Sequence, residues 1–155
     1  MQKEVSLEKV RRDAEEAYLQ GGYHDSEAVV HAIRINIEPA MPEAVVAAAL
    51  GFSCGVGESQ CMVGPVAGGV IALGYFFGRD FPTTPTDPKS QRTLVLANDI
   101  HEDFKKKHNV LCCHVHEKGL TIGSPEHKNQ CASFAGDVAV KTAEIIAREK
   151  GLTLT

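Results

Sequence analysis

Five cysteines hold most of the chemistry this sequence can offer. Cys54 and Cys61 bracket a glycine-rich stretch, Cys112 and Cys113 stand side by side ahead of His114 and His116, and Cys131 follows alone. A thiolate is a soft metal ligand and a redox nucleophile, and a cysteine is equally a small buried hydrophobe. Because five is odd, the thiols cannot all pair within one chain. The six residues between Cys54 and Cys61 fit neither a zinc knuckle nor a C-x-x-C redox site. A glycine-rich loop of that length can still fold both thiols toward one centre, with backbone N–H groups turned to the sulfurs. If residues 112–116 are extended, Cys112, His114 and His116 share one side, a soft-metal arrangement.

Other signatures are absent. Gly55-x-Gly57 is not a dinucleotide fingerprint, because an alanine-rich helix precedes it and Gln60 stands at the third position. There is no Gly-x-Ser-x-Gly, HExxH, P-loop or C-x-x-C-H motif. His31, His101, His108 and His127 read as surface positions, and Asp25 beside His24 reads as a helix cap.

Helices must position these groups. Ser6 caps a first helix to Leu19, which Gly21-Gly22 ends. Asp25 or Ser26 caps a second, stopped by Pro39. Pro42 opens a third over Glu43–Leu50, whose alanines and valines predict burial. A glycine-rich loop from Gly51 to about Gln60 leads into a fourth helix ending near Gly78-Arg79. After the proline-rich connection 80–89, Asp87-Pro88 starts a fifth helix to about His108. Residues 110–122 read as a short strand or an irregular loop. Ser124-Pro125 then starts a long last helix to Lys150, with an apolar stripe of Cys131, Phe134, Ala135, Val138, Thr142, Ile145 and Ile146. The fold class is all-α, a compact bundle of five to six helices with a Gly-rich loop and one short irregular or extended segment.

A length of 155 residues suits a single domain, 1–155. A net charge of −4 supplies no basic field for nucleic acid or an anionic membrane. Met62–Gly78 is uncharged but short, and its five glycines and one proline favour a buried helix over a membrane span. That helix can pack within the chain or on a twin subunit, as in a homodimer. The charged N-terminus has no apolar signal-peptide core, which predicts a cytoplasmic protein, where structural disulfides are rare.

Four segments in order resemble the C_GCAxxG_C_C family of redox-active proteins. They are GGYHDSEAVVHAI, GFSCGVGESQCMVGPVAGGVIALGYFFG, DFKKKHNVLCCHV and CASFAGDVAVKTAEII. The resemblance spans about Gly22 to Glu149. It places the family's four cysteine positions at Asp25, Val63, Cys112 and Cys131, so the first two are not cysteine here, while Cys61 stands two residues before Val63. A related domain occurs in split-Soret cytochromes. The resemblance implies redox or electron-transfer chemistry, a redox partner protein and an iron–sulfur centre, and carries over Cys112, Cys131 and the shifted Cys61; with Cys54 replacing the missing ligand, the cluster is expected on Cys54, Cys61, Cys112 and Cys131. Asp25, His24, His114 or His116 are alternative ligands. The alternatives are a zinc or other metal site with Cys/His ligands, and a metal-free thiol–disulfide protein with Cys112 or Cys113 reactive.

Overall fold

The computed structural model describes residues 1–155. Ser6, accepting a hydrogen bond from the Lys9 N–H, caps α1 (Leu7–Leu19), which follows the two-residue strand β1 (Glu4–Val5). Helix α2 (Asp25–Asn36) starts one residue past His24, whose backbone N–H donates to Glu27 in a capping box. Next come α3 (Glu43–Ala48), a 3₁₀ turn at Leu50–Phe52 and a single turn, α4 (Ser53–Val56). Helix α5 (Gly64–Phe77) begins with Pro65 in its first turn, and α6 (Pro88–His108) is capped by the Asp87 carboxylate. A single turn α7 (Cys113–His116) precedes α8 (Pro125–Lys150), which Ser124 caps and a left-handed Gly151 ends. Strand β2 (Thr153–Leu154) pairs in parallel with β1, Glu4 opposite Thr153, and ties the two chain ends together.

The fold is all-α apart from that small ladder. α8 touches α1, α2, α5 and α6, and α2 lies along α5. Ile33, Leu73, Ile100, Ile145 and Ile146 meet between them with at most 1% of their surface exposed. The glycines of α5 allow this approach. Gly68 lies against the Ser26 carbonyl of α2, and Gly69 against Thr142 and Val138 of α8 and Ile100 of α6. These small residues therefore serve packing inside one chain. No helix is long and apolar enough to cross a membrane.

Two sequence expectations change, and one loop gains detail. Helix α3 ends at Ala48 and buries only Val46, leaving Ala44, Ala47 and Ala48 exposed. Alanine side chains carry so little apolar surface that their exposure costs little, so the Ala/Val run did not dictate burial. Residues 110–122 form no strand; α7 and turns replace it. Within the glycine-rich loop, Cys54, Val56, Glu58 and Gln60 all adopt positive φ.

A methyl added at Gly68 presses on backbone, so Gly68→Ala should cost about 1–3 kcal/mol. Gly74→Ala meets nothing within 4 Å and should be neutral or stabilising by about 0.5–1 kcal/mol. Urea unfolding of the two variants checks the contrast.

Candidate redox or metal centre

Six segments close around one cavity. It is lined by Tyr18 of α1, Asp25 at the head of α2, Cys54 of the loop, Val63 before α5, Cys113, His116 and Glu117 in and after α7, and His127, Gln130, Cys131 and Phe134 of α8. The Ser124 cap sets the register of α8, and the four-residue spacing then puts His127 and Cys131 on one face. The loop is anchored to α2 by the Ser26 hydroxyl, which bonds the Ala49 carbonyl and the Ser53 hydroxyl at 2.7 Å each. Its run of left-handed residues costs conformational energy and delivers Cys54 to the cavity wall.

Asp25 is only 5% exposed. Its Oδ1 accepts the Ser26 N–H (2.8 Å) and the Cys54 N–H (3.4 Å). A Cβ at position 64 would come within 2.6 Å of that carboxylate, so only glycine fits there. No lysine or arginine lines the cavity. Burial pushes the Asp25 carboxyl above its ordinary range, with its two N–H donors opposing the shift. Burial, then the Asp25 charge, pushes the Cys113 and Cys131 thiols up to about 12 and raises Cys54 as well. Tyr18 is also raised, by burial and by Cys131 beside it. The Gly64 N–H opposes the rise at Cys113, and the Tyr18 hydroxyl opposes it at Cys131.

The tightest group of donors is Glu117, His127 and Cys131, whose ligand atoms lie within 4.8 Å of one another. Glu117 Oε1 is 2.9 Å from His127 Nε2, and Cys131 Sγ is 3.7 Å from the same nitrogen. Glu117 Oε2 accepts from Gln60 Nε2 at 2.6 Å.

Of the four cysteines expected from sequence, Cys54 and Cys131 line the cavity. Cys61 is exposed, and the Cys112 thiol points to the Gln60 carbonyl at 3.7 Å; neither is in the lining. Because residues 113–116 are helical, Cys113 enters the cavity instead, and the shared face expected for Cys112, His114 and His116 does not form. Of the alternative ligands, Asp25 and His116 line the cavity, while His114 is exposed and held by Gln60 and His24 is exposed. His116 Nε2 is engaged by the Val110 carbonyl at 2.7 Å. His127, read from sequence as a surface residue, is 8% exposed. Glu117 and Tyr18 had no local signal. His127 had one, its four-residue spacing from the inward Cys131.

The high thiol values fix a sign. Between about pH 9 and about pH 12 the unfolded chain has lost thiol protons that the fold retains, so stability falls as pH rises. Metal-free protein should melt at steadily lower temperature above about pH 8.5, and Cys131→Ser should flatten that slope in melts run across the range.

The residues that the resemblance assigned to the family pattern can now be placed. Asp25, Val63 and Cys131 line the one cavity, with Cys113 beside Cys112. No curated protein and no solved structure matches this chain. The family described as "Putative redox-active protein (C_GCAxxG_C_C)" matches residues 23–145. The chain belongs to the C_GCAxxG_C_C family.

Proposed function

We propose that this chain is an electron-transfer protein whose centre, an iron–sulfur cluster, is held in the cavity by Cys54, Cys113 and Cys131 with Asp25 as the fourth ligand. The observation that carries the reading is the convergence of three thiols and a buried carboxylate, from four separate segments, on a cavity without a lysine or arginine. Taking those anions out of water is costly unless they keep their protons or share a cation. The donor set fits a sulfur-ligated cluster: soft ligands, apolar walls at Val63 and Phe134, and backbone N–H groups at Cys54 and Gly64. Such a group supplies one-electron chemistry. The chain itself holds it, and α8 and the loop shield it from water. The oxygen donor at Asp25 sets it apart from an all-thiolate site. In this assignment Cys113 takes the place given to Cys112 from sequence, and Cys61 stands outside.

A second reading is favoured by the spacing of Glu117, His127 and Cys131: a single zinc ion or other metal bound by those three. Zinc accepts this mixed oxygen, nitrogen and sulfur set. Anaerobic purification of the full chain, with iron, acid-labile sulfide and zinc analysis, separates the two. The cluster reading expects a coloured protein with iron and sulfide, lost in Cys54→Ser, Cys113→Ser and Cys131→Ser and kept in Cys61→Ser. Stoichiometric zinc in a colourless protein would overturn it in favour of the second. Absence of any metal would sink both.

A further inference from the structure

The cluster assignment leaves one buried cavity residue without a part, and its hydrogen bonds specify one. His127 Nδ1 accepts the Gly123 backbone N–H at 3.1 Å. An N–H aimed at Nδ1 requires a lone pair there, so the proton of the neutral ring sits on Nε2. That Nε2–H faces Glu117 Oε1 at 2.9 Å and Cys131 Sγ at 3.7 Å. A metal on Nε2 would demand the opposite tautomer, with two N–H groups pointing at each other between His127 and Gly123.

We propose that His127 is a hydrogen-bond donor to the Cys131 sulfur, not a metal ligand, and raises the reduction potential of the centre that Cys131 holds. The proposal rests on the cluster reading above. An N–H···S bond withdraws electron density from a ligating thiolate and favours the reduced, more negative state of the cluster.

The surroundings hold the ring for this role. Ser124 Oγ accepts the His127 N–H at 3.2 Å while the Ser124 N–H donates to the Thr121 carbonyl at 3.0 Å, which fixes the turn carrying Gly123. Gly123 has φ +82°, a conformation that glycine reaches without strain. On the far side Glu117 shares the Nε2–H, and Gln60 steadies Glu117 through its other oxygen. Gln60 is itself fixed: its amide oxygen meets His114 Nδ1 at 3.0 Å, and its backbone N–H donates to the Cys54 carbonyl at 3.1 Å. His127 is thus a positioning residue acting through Cys131.

Two variants of the anaerobically purified full chain test this. His127→Leu should keep the wild-type iron and sulfide content and shift the reduction potential downward. His127→Gln, which retains an N–H donor, should keep the same content with a smaller shift. Loss of iron from both variants would make His127 a ligand and overturn the proposal, as would an unchanged potential in His127→Leu. Nitrogen NMR of the metal-free protein should show the Nε2–H tautomer at His127; an Nδ1–H tautomer would overturn it independently. Wild-type protein without iron would overturn the cluster reading instead. The NMR result keeps that failure distinct from failure of the tautomer.

Discussion

A buried carboxylate in a cavity without lysine or arginine constrains the functional end of this molecule. Asp25 sits at the first residue of α2 with two backbone N–H donors as partners and almost no solvent. Those donors and the helix end partly compensate its charge. The remaining cost is distributed over its neighbours. Burial raises the thiols of Cys54, Cys113 and Cys131, and the Asp25 charge raises them further. Asp25 requires glycine at 64, because the carboxylate occupies the volume of a side chain there. It also ties the loop to α2 through the Cys54 N–H.

The helices supply the rigidity that such a site needs. Cavity residues come from α1, the start of α2, the loop, the residue ahead of α5, the segment 113–117 and the first three turns of α8. Each long helix is committed elsewhere by its apolar face, so its end cannot relax away from the cavity. The loop alone is strained, with non-glycine residues in left-handed conformations. It is held by Ser26 on one side and by Gln60 on the other, where Gln60 N–H reaches the Cys54 carbonyl. Without a cation the cavity keeps its thiols protonated. Binding of a cation there is therefore linked to proton release and strengthens with pH.

Much of this frame is legible in the sequence because helix ends are local chemistry. Ser6, Asp87-Pro88, Ser124-Pro125 and Gly151 each mark a boundary through a side-chain hydrogen bond, a missing N–H or a left-handed residue, and α8 buries the stripe its spacing prescribes. Closure of the cavity is not local. Whether Cys112 or Cys113 faces inward depends on whether a five-residue segment is extended or helical, and that is decided by contacts with Gln60 and Val63 some fifty residues away. His127 differs for another reason: Glu126 and Lys128 beside it are polar and exposed, while its register with Cys131 turns it inward. Helix α3 departs from the expected burial because alanine is nearly indifferent to it.

The departures from the family pattern have a common physical direction. Val63 lines the cavity where the resemblance puts a cysteine, and Cys54 arrives from the loop on the backbone freedom of Gly55 and Gly57. Three thiols therefore line the cavity, and the fourth ligand we propose is the Asp25 oxygen. In the proposed centre a carboxylate donates less electron density than a thiolate, which raises the potential as histidine does in place of cysteine in Rieske sites. The hydrogen bond proposed from His127 to Cys131 would act in the same direction. Burial opposes ionisation of Asp25 when it is not bound to metal. In the proposed centre, ligation would hold Asp25 in its ionised form, which would couple the occupancy of one carboxylate to the release of its proton.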